Sequence, residues 1–194
     1  VTGQAGAFCS GADLSVLQQA SHGDGTELQQ IYSAFTAVAQ SPLFTIALVN
    51  GPALGAGMNL AMACDIRLAS EQAWFESRFF QLAIHPGGGH SWLLPQLVGW
   101  QQAAAMIFCG ERLSAQQALA AGFVKELWPE EQLLTRAKQL TAGLATLPTI
   151  WRFRKAMKRV PRWIGTGMII RMKLAVPVKE RAAQVREIMH LTCS

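Results

Sequence analysis

The 194-residue sequence predicts an α/β fold. Short apolar runs typical of buried strands alternate with longer segments whose apolar residues recur at helical spacing. Glycine-rich turns join several of these strands to the following helices, as expected where parallel strands are connected by crossover helices. With 51% hydrophobic and 15% charged residues, the composition is that of a globular chain and excludes a disordered one.

In the first half of the chain, apolar spacing predicts two helices and three strands. Ser41-Pro42 ends the first helix, because the residue before a proline disfavours the helical conformation. Pro52 ends the first strand, because proline has no N–H for a sheet hydrogen bond. The predicted elements are a helix over 28–39, a strand over 45–49, a helix that begins after Gly57, and strands over 66–69 and 73–75.

The second half is predicted to contain four helices and one strand. Ser114 is expected to cap a helix over 115–121, and Gly122 to close it. Pro129, followed by two glutamates, predicts the start of a long helix, because proline fits a first turn and acids favour its positive end. That helix is expected to run to about Leu147; the other elements are helices over about 91–98 and 101–108 and a strand over 124–127.

The segment Thr45–Asp65 carries the clearest functional pattern. Its strand leads through Gly55-Ala56-Gly57 into a helix, and no charged side chain occurs before Asp65. Backbone N–H groups at such a helix start converge on one point, where the helix dipole favours negative charge. The segment therefore predicts an anion site built from backbone. Two further glycine-bearing turns lie at Phe8–Asp13 and His85–Gly89.

Positive charge is concentrated at the end of the chain. Residues 1–150 hold 6 Lys/Arg against 10 Asp/Glu, whereas residues 151–194 hold 11 against 2, so the net charges are −4 and +9 and together give +5. We divide the chain accordingly into a core over 1–150 and a basic helical segment over 151–194. The basic segment favours contact with phosphates, on a ligand or a nucleic acid.

Cysteine and histidine spacing predicts no metal site, because the four cysteines are scattered and the four histidines form no cluster. Buried free thiols in a reducing cytoplasm are expected. No apolar run reaches about 18 residues, so no membrane span is predicted. The first three residues read as the end of a strand already under way, which suggests that an N-terminal part is missing.

Four motifs together resemble the enoyl-CoA hydratase/isomerase (crotonase) family. They are FCSGADL at Phe8–Leu14, VNGPALGAGMNLAMACDIRLAS at Val49–Ser70, LAIHPGGG at Leu82–Gly89 and GERLSAQQALAAGFVKEL at Gly110–Leu127. The resemblance implies a spiral core of ββα turns with C-terminal helices, assembled as a homotrimer or hexamer. It also implies an acyl-CoA thioester as substrate, with no cofactor beyond the coenzyme A of the substrate.

The resemblance assigns the anion site to a thioester oxygen. The backbone N–H groups of Ala12 and Ala56 would hold that oxygen as negative charge develops on it, in the manner of an oxyanion hole. The substrate would pass along residues of both turns and two nearby side chains, namely Ala12, Asp13, Leu14, Ser15, Gly55, Gly57, Asn59 and Phe79.

The acid and base of the family's hydratases are not matched. Those enzymes carry one glutamate two residues after the glycine turn and a second about twenty residues later; the two positions fall on Asn59 and Phe79 here. Neither side chain can act as a general acid or base, which puts the two-carboxylate hydratase mechanism in doubt. The substitutes are Glu76, which can equally form an ion pair beside Arg78, and His85, which can equally pack in its turn. His90 is a weaker candidate.

Three functional interpretations remain open. The first is an acyl-CoA enzyme of hydratase or isomerase type, and the second is a CoA-binding or assembly protein of the same fold that has lost catalysis. The third, an RNA-binding family member, depends on the basic segment alone. A Rossmann dehydrogenase is disfavoured because GPALGAG lacks the G-x-G-x-x-G spacing, and an α/β-hydrolase because no G-x-S-x-G motif occurs.

Overall fold

A computed structural model describes residues 1–4, 6–12 and 26–144, and it has an α/β architecture built on two small sheets. Within these ranges the strands are β1 (Ile46–Val49), β2 (Ala53–Leu54), β3 (Ile66–Ala69), β4 (Trp74–Glu76), β5 (Leu113–Ser114) and β6 (Glu126–Leu127). The α-helices are α1 (Thr26–Gln40), α2 (Ala56–Ala63), α3 (His90–Val98), α4 (Trp100–Phe108), α5 (Ala115–Ala120) and α6 (Leu133–Thr141). Short 3₁₀ helices cover Phe80–Leu82 and Glu130–Gln132.

The two sheets have three strands each and are mostly parallel. The first has the order β1-β3-β6, and both of its strand pairs are parallel. The second has the order β2-β4-β5, in which β4 pairs with β2 in parallel and with β5 antiparallel. The N-terminal residues continue both sheets, since Thr2 forms a parallel bridge with Leu48 and Cys9 one with Ala53. The chain therefore passes from the first sheet to the second three times within the described residues, at residues 2–9, from β1 to β2 and from β3 to β4.

The hydrophobic core lies between these strands and the helices that connect them. Phe75 of β4 is fully buried and meets Phe123 edge to face, with ring centroids 4.8 Å apart. Met58 of α2, Leu94 of α3 and Met106 of α4 belong to the same buried cluster. Residues of several helices and strands thus share one buried cluster, which leaves the turns at the strand ends to form a site.

Most predicted elements are confirmed, with shifted ends. The helix expected over 28–39 is α1, the strand over 66–69 is β3, and Ser114 forms a capping box with Gln117 at the start of α5. The long helix expected from Pro129 instead begins as a 3₁₀ turn, and its α-helical part ends at Thr141. Its expected end near Leu147 and the basic segment over 151–194 lie outside the described residues, so the division at residue 150 stays a prediction.

Within the described part of the chain, none of the helices combines the length and the apolar character that crossing a membrane requires.

Candidate functional site

The glycine turn before α2 has the expected strand, turn and helix in order. Gly55 lies directly before the helix with φ +49°, a conformation that favours glycine over residues with a Cβ. Its N–H donates to the carbonyl of Glu76 at 2.9 Å, which anchors the turn to β4. Ala56 is the first helical residue, so its N–H has no acceptor within the helix. The turn therefore presents backbone N–H at the positive end of a helix dipole.

The N-terminal glycine turn packs directly against this helix start. Leu54 donates its N–H to the Cys9 carbonyl at 3.0 Å, and a methyl group at Gly57 would overlap that same carbonyl. A Cβ at Gly11 would lie 2.9 Å from the Leu54 oxygen and 3.6 Å from the Ala56 nitrogen. Since Ala12 follows Gly11 in the chain, the turns that carry Ala12 and Ala56 are neighbours.

Three of the predicted substrate-lining residues, Asp13, Leu14 and Ser15, lie outside the described part of the chain. Gly55 and Gly57 form the helix start, and Asn59 follows one turn into the same helix. The roles of all these residues in substrate binding stay predictions.

Asn59 is buried, with its amide held from both sides. Its Nδ2 donates to the Gly87 carbonyl at 3.0 Å, and its Oδ1 lies 2.7 Å from Nδ1 of His90. A Cβ at Gly88 would lie 2.7 Å from Nδ2, so the third glycine turn packs tightly on the amide. Asn59 thus connects α2 to the turn before α3.

His90, the first residue of α3, is fully buried and neutral. Because Asn59 uses its amide nitrogen on a carbonyl, Oδ1 must accept, and Nδ1 of His90 therefore carries the proton. Nε2 then accepts from the Ser77 hydroxyl at 2.9 Å. Burial lowers the pKa of His90 to about 4, so the imidazole is uncharged at neutral pH.

Phe79 lies beside the glycine turn of α2. Its ring tip would be 3.9 Å from a Cβ at Gly55, and its ring meets His90 edge to face at 4.9 Å. Strand β4 ends at Glu76, and the chain turns at Arg78, whose φ of +57° is unusual for a residue with a Cβ. This turn brings Phe79 toward the helix start.

Glu76 forms ion pairs, which is the structural role that the sequence left open for it beside Arg78. Its Oε2 lies 3.3 Å from Nε of Arg78 and 3.3 Å from a terminal nitrogen of Arg112. Arg112 also stacks on Trp74, with its guanidinium carbon 3.8 Å from the ring centroid. Since Trp74 and Glu76 are two residues apart in β4, they share one face of the strand, and Arg112 spans both.

His85 is exposed. His90, which the sequence made the weaker candidate for an acid or base, is instead the histidine at the centre of the buried polar contacts. One signal in the sequence points to it: an asparagine in an apolar helix needs hydrogen-bond partners when buried. Which residue would supply them is not visible in the sequence, because residues 59, 77 and 90 come from three different elements.

Comparison with known proteins agrees with the fold and the motifs. The family model described as "Enoyl-CoA hydratase/isomerase" matches residues 1–162. "Probable enoyl-CoA hydratase echA14" of Mycobacterium tuberculosis is 45% identical over 150 residues, which cover 76% of this chain and 57% of the relative. "1,2-epoxyphenylacetyl-CoA isomerase" of Escherichia coli is 35% identical over 154 residues, covering 77% of this chain and 59% of the relative.

Solved structures show the same likeness. An enoyl-CoA hydratase from Bacillus anthracis aligns with a TM-score of 0.72 and 33% identity, over 85% of this chain and 67% of that one. The present chain spans little more than half the length of the two curated relatives above. Its fold is the crotonase fold, and the chain belongs to the enoyl-CoA hydratase/isomerase family.

Proposed function

We propose that this chain is the core of an acyl-CoA enzyme of the hydratase/isomerase type, which stabilises a thioester enolate with the N–H groups of Ala12 and Ala56. The observation that carries the proposal is the contact between the two glycine turns, with Gly11 against the first residue of α2. A carbonyl oxygen gaining negative charge there would meet two backbone donors and a helix dipole. Asp13, Leu14 and Ser15 would continue the path for coenzyme A.

Within this type, we favour enolate formation and isomerisation over addition of water. Water addition by two carboxylates needs ionisable groups, and this chain carries Asn59 and Phe79 at the family's two glutamate positions. Enolate formation needs one proton acceptor, for which Glu76 and His85 remain the candidates. Glu76 would have to leave its ion pairs with Arg78 and Arg112 to serve.

Further expectations follow from family membership. We expect a cytoplasmic homotrimer or hexamer that works in fatty acid metabolism, with coenzyme A entering only as part of the substrate. Exposed apolar side chains at Phe80, Leu82 and Phe108 would suit contacts between subunits. Light scattering on the purified protein would give the subunit number, and a monomer would contradict this expectation.

The second candidate is a protein that binds coenzyme A without turnover. The observation that favours it is the Asn59–His90 pair, since the buried amide uses both its oxygen and its nitrogen within the protein. This alternative keeps the thioester site but removes the proton transfer. RNA binding by the basic segment would be a separate property of residues 151–194.

Proton exchange in D₂O separates the two candidates. An enzyme that forms enolates incorporates deuterium next to the thioester carbonyl, which mass spectrometry of acyl-CoAs detects even when no net product forms. We expect exchange in saturated and β,γ-unsaturated acyl-CoAs and little hydration of α,β-unsaturated ones. If calorimetry shows acyl-CoA binding and no substrate exchanges or isomerises, the enzyme interpretation is wrong and the binding protein remains. If no acyl-CoA binds, both are wrong.

A further inference from the structure

The two side chains at the family's glutamate positions touch the same imidazole. Asn59 accepts a hydrogen bond from Nδ1 of His90 at 2.7 Å. The ring of Phe79 packs edge to face on the ring of His90, with the two ring centroids 4.9 Å apart. Since α2, the turn after β4 and the start of α3 all meet there, one buried residue connects both substituted positions.

We propose that His90 is a positioning residue of the acyl site: it fixes Asn59 and the Gly87–Gly89 turn on one side and Phe79 on the other. This rests on the proposed thioester function, because the groups it holds are those expected to line the acyl pocket. Its effect would be on the geometry of the reacting acyl group, whereas coenzyme A would bind elsewhere along the path.

The hydrogen bonds around His90 are directional, so they fix one arrangement. The Gly87 carbonyl can only accept, so the Asn59 amide cannot flip without losing that bond. The amide orientation in turn requires the proton on Nδ1, and the bare Nε2 requires Ser77 to donate. The groups placed against His90 are thus an amide, a hydroxyl and an aromatic ring, and none of the three carries charge.

The same contacts connect a serine, a histidine and an asparagine in the order of a nucleophilic triad. Burial excludes that use, because Ser77 and His90 are both 0% exposed and Phe79 lies over the ring. A thioester carbon cannot reach the Ser77 oxygen in this arrangement. We therefore expect no hydrolysis of acyl-CoA through Ser77, and a positioning role only.

NMR of the free protein tests the arrangement without reference to activity. The ¹⁵N shifts of His90 at pH 7 should be those of a neutral ring with the proton on Nδ1. In Asn59→Asp, a carboxylate would face Nδ1 and should raise the pKa of His90 by about 1–3 units. A ring protonated at neutral pH, a proton on Nε2, or a pKa that does not move in Asn59→Asp would overturn the proposal.

Paired serine variants test the functional consequence. Ser77→Ala removes the donor to Nε2, whereas Ser91→Ala removes an exposed hydroxyl from the next residue after His90. We expect Ser77→Ala to slow proton exchange about tenfold with KM within about twofold, and Ser77→Thr to recover most of the rate. Ser91→Ala should match the wild type.

The outcomes distinguish the positioning role of His90 from the enolate-forming function on which it rests. An equal loss in Ser77→Ala and Ser77→Thr, or a change in KM alone, would overturn the positioning role while leaving the enolate function standing. If the wild type exchanges no proton in any acyl-CoA, the enolate function fails. The positioning role in an enzyme then fails with it, although the NMR experiment still reports whether His90 holds Asn59.

Discussion

At the scale of single residues, the candidate site depends on a glycine, Gly57, at a position where no side chain fits. Gly57 lies so close to the Cys9 carbonyl that no Cβ fits between them. Glycine is therefore required here because two chain segments 48 positions apart come into contact. The backbone angles of Gly57 are ordinary and would allow other residues. This contact sets the distance between the turns that carry Ala12 and Ala56.

Gly57→Ala should consequently destabilise the protein and disturb the site. A methyl group there must push the Cys9 backbone away, and overpacking of this kind costs about 1–3 kcal/mol. Urea unfolding measures the loss, and calorimetry with an acyl-CoA should show weaker binding. Gly143→Ala is the matched control, since a Cβ there meets nothing within 4 Å. Equal effects at both positions would contradict the packing argument.

The proposed donor at Ala56 can be removed with little change to the fold. Proline lacks an N–H, and its ring is tolerated at the first position of a helix, which is where Ala56 lies. Loss of one oxyanion donor costs about 10²–10³ in rate. We therefore expect Ala56→Pro to lower the proton-exchange rate by that factor with far-UV circular dichroism unchanged.

Ala56→Gly is the control for the proline variant, because it keeps the N–H while removing the side chain. It should exchange within about threefold of the wild type, since only a little helix propensity is lost. A proline variant as active as the glycine variant would show that the Ala56 N–H takes no part in the reaction.

At the scale of elements, helix α2 is held at both ends. Its start is fixed by Gly55 and Gly57 against neighbouring backbone. Its end is fixed by Arg67 of β3, whose guanidinium donates to carbonyls of Ala61 and Cys64 at 3.5 and 3.1 Å and of Phe123 at 2.6 Å. A cation at these carbonyls also matches the negative end of the helix dipole.

Arg67→Met should therefore unfold more easily than the wild type. It fills similar volume but leaves buried carbonyls without a donor, and each such group costs about 1–3 kcal/mol. We expect a loss of about 3 kcal/mol in urea unfolding. Lys138→Met, which removes an exposed charge from α6, should change stability by less than about 0.5 kcal/mol. A loss as small in Arg67→Met would contradict the role of Arg67 in holding α2.

The sequence predicted those elements whose signal is local. Periodicity and caps place β3, α1 and the capping box of α5, because each is specified within a few adjacent residues. Strands β2 and β5 have two residues each, too few to show alternation, so they depend on the partners that pair with them. The Asn59–His90 contact is likewise specified by the fold, since the two residues are 31 positions apart.

At the scale of the whole molecule, the site lies where separate segments converge. Residues 8–12 reach it beside β2, α2 begins in it, and the turns after β4 and before α3 close it. Because both sheets share the N-terminal residues, the position of the first turn depends on pairing at Thr2 and at Cys9. The anion site proposed at the glycine turn before α2 therefore depends on the assembled fold.

This convergence makes stability depend on pH through the buried histidine. The pKa of His90 falls from 6.5 to about 4 on folding, so between these values the unfolded chain binds the extra proton. The uncharged His90 therefore contributes about 3 kcal/mol to the free energy of unfolding above pH 6.5, and this contribution is lost as the pH falls toward 4. Glu126 accepts hydrogen bonds from Arg136 and Trp128, which lower its pKa to about 2. Protonation of Glu126 therefore changes the stability only in a separate range, below about pH 4.5.

Urea unfolding of the wild type should therefore show stability falling between pH 6.5 and 4.5. In His90→Gln the protein should be less stable at pH 7.5 but should lose less on acidification, because the group that takes up the proton is absent. Glu126→Gln serves as the comparison, since it should keep the wild-type slope above pH 4.5 and differ only below it. Parallel profiles for wild type and His90→Gln over this range would mean that His90 is not buried as a neutral ring in the folded protein.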